Sequence, residues 1–247
     1  MSGHSKWHNI QNTKGKADAA RSKIFTKISR EIAVAVKLGG SNPASNAKLA
    51  SLIQKAKQNN IPNDNIERTI KKASGELGSV NYENCTYEGY GVGGSAVIVE
   101  CLTDNKNRTA GDVRHSFDKF GGSLGATGCV SYLFQRKGVI IIPRVEGLDS
   151  DTLMLDALDA GAVDVQEYDD ELEIITEPND VQVVNEKLEN MGYKSVSAES
   201  TLVADNYVDL DETKLATFMK MIEMLEDNDD VQEVYHNVNL PIQPDEE

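Results

Sequence analysis

The sequence has little that would mark a secreted or membrane protein. It contains three cysteines in 247 residues, and no two of them form a C-x-x-C pair. An odd number of isolated cysteines predicts reduced, buried thiols in a cytoplasmic protein. The longest aliphatic run, Val139–Ile142, is far shorter than the roughly 18 residues that a membrane span requires. The first residues also lack the apolar segment typical of a secretory signal.

Familiar catalytic motifs are missing as well. The nucleophile elbow G-x-S-x-G, the zinc motif H-E-x-x-H and the phosphate-binding P-loop do not occur in the sequence. The histidines are scattered, and the many carboxylates of the second half single out no acid–base pair. We therefore expect a protein that is not an enzyme and that uses no cofactor or metal. An enzyme would need a pocket of titratable groups with shifted pKa values, which a sequence does not reveal.

Positive charge is concentrated near the start of the chain. Residues 1–80 carry 14 Lys and Arg against 5 Asp and Glu, whereas residues 146–247 carry 4 against 29. The formal net charge of −15 therefore hides a basic module joined to an acidic remainder. This asymmetry predicts that the first part binds an anion such as nucleic acid, while the acidic part confers solubility or binds basic partners.

Residues 17–38 form a predicted amphipathic helix. Isoleucine or valine recurs every four residues from Ile24 to Val36, which predicts one buried face, and Gly39 and Gly40 end the helix. Basic residues lie on the opposite face, because a spacing of seven returns to nearly the same helix azimuth. This basic stripe consists of Lys16, Lys23, Lys27, Arg30 and Lys37.

The remaining patterns predict two more helices and then a mixed α/β region. A helix after Pro43 and another over 63–74 complete a three-helix bundle. Residues 138–200 follow the ferredoxin-like order β-α-β-β-α-β, and the segments on either side would complete a second unit of this kind. The predicted strands span 95–102, 129–135, 139–143, 163–168, 172–176, 194–200, 201–209 and 231–238, with a turn at 136–138. The predicted helices span 109–120, 150–160, 179–191 and 212–226.

The expected fold is therefore α+β, with an N-terminal three-helix bundle plus two ferredoxin-like α/β domains, one inserted in the other. Residues 1–76 would form a basic arm and the helical domain. Residues 77–135 plus 201–247 would form a discontinuous α/β domain, and residues 136–200 the inserted, acidic ferredoxin-like domain. Two α+β domains in simple chain order would instead leave too many unpaired sheet edges.

Two glycine- or asparagine-rich loops invite a comparison with phosphate-binding loops. The segment "GYGVGG" at 89–94 lacks the G-x-G-x-x-G spacing and precedes a strand, which predicts a turn or close backbone packing. In "TDNKNRT" at 103–109, backbone amides, Lys106, Arg108 and a helix N-terminus suit a phosphate. The Asp, Asn and Thr residues equally suit a capped loop without a ligand, and both interpretations remain open.

Three segments carry a resemblance to a known family. They are "GHSKWHNI" at 3–10, "KIFTKISREI" at 23–32 with "LGG" at 38–40, and "YEGYGVGGSAVIVECLTDNKNRTAGDVRH" at 87–115 with its continuation over 121–138. Together they resemble the YebC family of bacterial proteins, whose relatives include a mitochondrial translational activator of cytochrome oxidase. The sequence departs from the family's pattern at Val92, where Pro is expected, and at Tyr132, where Trp is expected.

The resemblance implies a helical domain followed by two α/β domains, the last of them inserted, and no enzymatic activity. Members of the family are commonly described as transcriptional regulators that bind DNA. Others resemble ribosome-associated factors that assist translation through difficult stretches such as consecutive prolines. By resemblance, nucleic-acid binding extends to Lys6, Trp7, Lys23, Lys27, Arg30, Lys106 and Arg108.

We therefore expect a cytoplasmic, monomeric regulator of gene expression that binds nucleic acid, either DNA or rRNA, and does not contact a membrane. Two alternatives remain open, namely a ribosome- or rRNA-associated translation factor that relieves stalling and an acidic protein-interaction adaptor. A tryptophan on a basic arm suits stacking on an unpaired RNA base, whereas the family description favours DNA. Lysine contacts with phosphates give affinity without sequence specificity. The candidate nucleic-acid-binding residues are Lys6, Trp7, Lys14, Lys16, Lys23, Lys27, Arg30, Lys37, Lys106 and Arg108.

Overall fold

A computed structural model describes residues 17–76 and 81–240 and has an α+β architecture. Its helices are α1 Ala17–Gly39, α2 Ala47–Gln58, α3 Asn63–Lys71, α4 Lys106–Lys119, α5 Ser150–Ala160, α6 Val181–Asn190 and α7 Glu212–Glu226. Its strands are β1 Glu83–Tyr90, β2 Ala96–Thr103, β3 Ser123–Leu124, β4 Phe134–Pro143, β5 Asp164–Glu167, β6 Glu171–Thr176, β7 Ser197–Ala204 and β8 Val231–His236. Within these ranges, no helix has the length and apolarity needed to span a membrane.

The described chain forms two compact units. One contains residues 17–76, 81–130 and 210–236, and the other contains residues 131–209 and 237–240. The helical bundle and the sheet that contains β1, β2, β3 and β8 both belong to the first unit. The division into three domains given above stays a proposal.

The helical bundle of the first unit follows the predicted pattern, except that Ile24, predicted on the buried face of α1, is exposed. Helix α1 buries Ile28, Ile32 and Val36 against α2 and α3. Helix α2 begins where the Asn46 side chain accepts a hydrogen bond from the backbone N–H of Leu49 at 3.0 Å, an arrangement that satisfies a helix-end donor. Beyond α3 the chain continues through one helical turn, Lys72–Glu76.

The sheet of the second unit has the predicted ferredoxin-like order. Its strands run β5-β6-β4-β7 and pair antiparallel, and α5 and α6 lie between them in sequence. The two helices cover one face of the sheet, where Ile140, Leu153, Leu172, Ile174 and Leu188 are fully buried. The β-α-β-β-α-β pattern predicted for residues 138–200 thus corresponds to a single sheet with a helical layer.

The sheet of the first unit shares only two of its four strands, β2 and β8, with the prediction. Its order is β3-β1-β2-β8, and β1 was not predicted, although Cys85 and Tyr87 alternate there with polar residues. The strand predicted at 201–209 is wrong, because these residues overlap β7, which pairs with β4 from Phe134–Ala204 to Ile141–Ser197. The strand predicted at 129–135 is wrong as well, because Ser131–Leu133 form a helical turn and Phe134 is the first residue of β4.

The turn predicted at residues 136–138 is also wrong. Strand β4 runs through these residues without interruption. A Cβ atom on Gly138 would lie 2.1 Å from Oγ1 of Thr176 and 2.8 Å from Cβ of Val181. Gly138 therefore permits close packing inside the sheet rather than a reversal of the chain. By contrast, "GYGVGG" does form a tight turn between β1 and β2, with Gly93 at φ +72°.

Candidate nucleic-acid interface

The described part of the basic stripe, Lys23, Lys27, Arg30 and Lys37, lies on the side of α1 opposite its core residues, as predicted, but part of it is not free. An acidic segment, residues 226–233, lies against it at the end of α7 and the start of β8. Lys23 forms an ion pair with Asp227, and Arg30 forms one with Asp230. The expected solvated surface is therefore partly covered, because the protein supplies its own carboxylates to these cations.

Lys27 lies in the same contact and is partly desolvated. Burial lowers the pKa of Lys27, and the carboxylates of Glu233 and Glu226 act in the opposite direction. Burial also raises the pKa of Glu226 to about 7, while the charge of Lys27 opposes that rise. The opposite charges compensate each other where water is partly excluded.

Asp230 is the centre of the contact, and its side chain is only 3% exposed. One carboxylate oxygen accepts a hydrogen bond from Arg30, whose side chain is 14% exposed. The other accepts from Arg108 at 2.7 Å and from the hydroxyls of Thr103 and Thr109 at 3.0 and 2.8 Å. Burial opposes ionisation, but the hydrogen bonds outweigh it and lower the pKa of Asp230 to about 2.

The loop at 103–109 adopts the capped arrangement. The side chain of Asn105 accepts a hydrogen bond from the backbone N–H of Arg108 at 3.1 Å, and Thr103 Oγ1 accepts one from the backbone N–H of Asn105 at 2.9 Å. The Lys106 Nζ atom lies 2.6 Å from Oε2 of Glu83. Both cations of the loop therefore have carboxylate partners, and phosphate binding by Lys106 and Arg108 stays a prediction.

Two other basic side chains of the bundle, Lys37 and Lys72, are not neutralised by a described carboxylate and can interact with an anion. Lys37 donates a hydrogen bond to the neutral side-chain amide oxygen of Asn81. Among the residues that the structure describes, neither Lys37 nor Lys72 forms an ion pair with a carboxylate. The other predicted contacts, Lys6, Trp7, Lys14 and Lys16, lie outside the described residues.

The described residues offer little for metal or thiol chemistry. Within 17–76 and 81–240, no three His, Cys, Asp or Glu side chains are grouped so that they could hold a metal ion. All three cysteines are free thiols, but only Cys101 is fully buried, whereas Cys85 and Cys129 are partly exposed. Burial raises the pKa of the Cys101 and Cys129 thiols, which makes them weak nucleophiles.

Sequence reasoning missed the acidic partner of the stripe. The run "EDNDD" at 226–230 is a local signal of negative charge at a helix end. Arg30 and Asp230 are, however, 200 residues apart in sequence, and charge patterning alone gives no means of pairing them.

Comparison with protein families gives two adjacent matches. Residues 5–76 match a model described as the TACO1/YebC protein N-terminal domain. Residues 82–238 match a model described as the TACO1/YebC second and third domain. The two models together cover nearly all of the described residues.

Individual relatives agree with these matches. The chain is 57% identical to a probable transcriptional regulatory protein of Clostridium botulinum strain Okra, over 98% of both chains. It is 56% identical, over 98% of both chains, to the probable transcriptional regulatory protein ORF2U of Hathewaya histolytica. Among solved structures, the conserved hypothetical protein Aq1575 of Aquifex aeolicus is 43% identical with a TM-score of 0.83, and the match covers 98% of this chain and 100% of that one.

Proposed function

The chain belongs to the TACO1/YebC family, and we propose that it is a non-enzymatic regulator of gene expression that binds nucleic acid through its N-terminal basic region. The names of its relatives support a regulatory role. The observation that carries nucleic-acid binding is the charge distribution, with 14 Lys and Arg against 5 Asp and Glu in residues 1–80 of a chain whose net charge is −15. The protein would act in the cytoplasm as a monomer without a cofactor.

The proposed interface includes cations that already have carboxylate partners. Exposed ion pairs contribute only about 0–1 kcal/mol, so a phosphate can replace Asp227 beside Lys23, or Glu83 beside Lys106, at small cost. Lys37, Lys14, Lys16 and Lys6 would add contacts along the backbone of the nucleic acid. The more buried cations, Lys27 and Arg30, would mainly hold this surface in place, and so would Arg108, which is exposed but is paired with the buried Asp230.

The affinity for nucleic acid is expected to fall steeply with salt. If about six basic residues neutralise phosphates, a plot of log K against log salt should have a slope of roughly −4 to −5, because counterions are released on binding. Fluorescence anisotropy with a labelled single-stranded RNA and a labelled duplex DNA measures this slope. A slope near zero for both ligands would contradict electrostatic binding.

Replacement of Trp7 by alanine is expected to weaken binding without lowering the melting temperature. Stacking of an aromatic ring on an unpaired base is worth roughly 1–3 kcal/mol, and Trp7→Phe should retain much of it. Anisotropy titration and thermal melting of both variants provide the measurements. A large drop in melting temperature for Trp7→Ala would mean that the ring stabilises the fold instead.

A ribosome or rRNA target is the second candidate, and Trp7 is the observation that favours it. Unpaired RNA bases are splayed out and stack on aromatic side chains, whereas a duplex groove offers no such base face. In-cell crosslinking followed by sequencing of the bound RNA and DNA distinguishes the two targets. Enrichment of rRNA would support the ribosome, and a profile centred on promoters would support DNA.

A further inference from the structure

The helical bundle contains a cavity of about 310 Å³ beside the basic stripe. It opens between α1, the end of α3 with its following turn, and Tyr82, which precedes β1. This volume lies at the lower end of the range for small-molecule sites, about 300–1,000 Å³. The described residues that line it include Phe25, Ser29, Arg30, Lys37, Lys72 and Tyr82.

The cavity is positively charged within a strongly acidic protein. Its described lining includes three basic residues, Arg30, Lys37 and Lys72, and no acidic one. The carboxylate of Asp230 compensates Arg30 from outside the lining. Lys37 and Lys72 form no ion pair with a described carboxylate, so their charges remain available. These charges favour an anionic ligand.

Aromatic and hydroxyl groups complement the positive charge. The Arg30 guanidinium lies 5.4 Å from the centroid of the Tyr82 ring, which fixes a cation over an aromatic face. Phe25 supplies a second ring to the lining. The Ser29 Oγ atom is buried and has no hydrogen-bond partner among the described residues. A buried hydroxyl of this kind is costly unless a ligand or water satisfies it.

We propose that this cavity binds one unpaired nucleotide of a single-stranded nucleic acid, an inference that rests on the proposed function. The base packs against Tyr82 and Phe25, Ser29 hydrogen-bonds to the base or the sugar, and the flanking phosphates contact Lys37 and Lys72. A free phosphate would not use the two rings, and the bases of a duplex stay paired and stacked, so that no single base is free to enter the cavity. The site would thus bind a single unstacked nucleotide, while basic residues of α1 contact the phosphate backbone of the same strand.

The aromatic part of the site is tested with paired oligonucleotides. The full chain is titrated with a labelled single-stranded oligomer and with the same oligomer carrying abasic positions, each as RNA and as DNA. The ratio of the two affinities reports base contacts alone, because the phosphates are identical. Tyr82→Leu should reduce this ratio at least about fivefold, the effect of losing one stacked base. Tyr82→Phe keeps the ring and should leave the ratio unchanged.

The phosphate part of the site is tested with two matched lysine substitutions. Lys72 lines the cavity, whereas Lys57 is an exposed lysine of α2 outside it. Lys72→Gln should weaken binding of the intact oligomer several-fold more than Lys57→Gln does, although both remove one charge from the bundle. This pair also keeps the test decisive if Tyr82→Leu does not fold, which thermal melting reveals.

The outcomes separate this inference from the proposed function. If the unaltered protein binds no oligomer, both fail. If it binds, but Tyr82→Leu keeps the preference for bases and the two lysine variants weaken binding equally, the nucleotide site is wrong while nucleic-acid binding stands. If Tyr82→Leu loses the preference for the intact over the abasic oligomer with RNA but not with DNA, the site binds RNA. If it loses this preference equally with both, the site accepts a nucleotide of RNA or of DNA.

Discussion

Replacement of Asp230 by alanine is expected to lower the free energy of unfolding by about 3–5 kcal/mol, the usual cost of removing one partner of a buried ion pair. Arg30 would lose its carboxylate while remaining largely buried. The hydroxyls of Thr103 and Thr109, both almost fully buried, would lose an acceptor as well. Urea denaturation followed by circular dichroism at neutral pH measures the change.

Asp227 provides a matched control for this substitution. It also pairs with a cation of α1, but its side chain is 59% exposed and that of Lys23 is 35% exposed. Exposed pairs of this kind contribute about 0–1 kcal/mol, so Asp227→Ala should change stability little. If the two substitutions have equal effects, the buried hydrogen-bond network around Asp230 does not stabilise the contact between α1 and the acidic segment.

Replacement of Glu171 by glutamine is expected to stabilise the protein at high pH and to change it little at low pH. Glu171 is 1% exposed on β6, and neither of its carboxylate oxygens has a hydrogen-bond partner among the described residues. Burial raises its pKa to about 8, and the charges of Asp170 and Glu173 add to the rise. The folded protein therefore favours the protonated, neutral carboxyl.

The sign of the pH effect follows from the raised pKa. Below the ordinary glutamate pKa of 4.5, Glu171 is protonated in both the folded and the unfolded state. The buried carboxyl is then neutral and does not destabilise the folded state. As the pH rises towards about 8, the unfolded state ionises first, so stability is progressively lost. Between roughly pH 5 and pH 8 the loss amounts to at most about 4 kcal/mol, and Glu171→Gln removes it.

Melting temperatures across this pH range measure the effect of Glu171→Gln. Glu186 on α6 is exposed, so Glu186→Gln removes a charge from the same unit without relieving a buried group. Its melting temperature should follow that of the unaltered protein at every pH. Parallel curves for Glu171→Gln and the unaltered protein would mean that Glu171 is ionised and solvated in the folded state.

The amino-acid sequence by itself determined the helical bundle and the β-α-β-β-α-β sheet. In α1 the repeat from Ile28 to Val36 is a local property, and a helix must bury such a face wherever it packs. Residues 138–200 likewise carry strand and helix patterns whose partners lie close in sequence. The excess of Lys and Arg over Asp and Glu in residues 1–80 is also a property of the sequence alone and does not depend on the fold.

The tertiary structure alone decided which groups meet. Strand β1, which was not predicted, pairs with β2, and Gly138 packs inside a strand because Thr176 lies opposite it. The pairing of Arg30 with Asp230 joins residues 200 positions apart, and the cavity beside Tyr82 exists only once α1 and α3 have packed. Periodicity specifies which face of an element is buried, but not the element that covers it. The covering element is determined by the tertiary packing of segments that are distant in sequence. This packing gives some cations of the stripe carboxylate partners and leaves others available to a ligand.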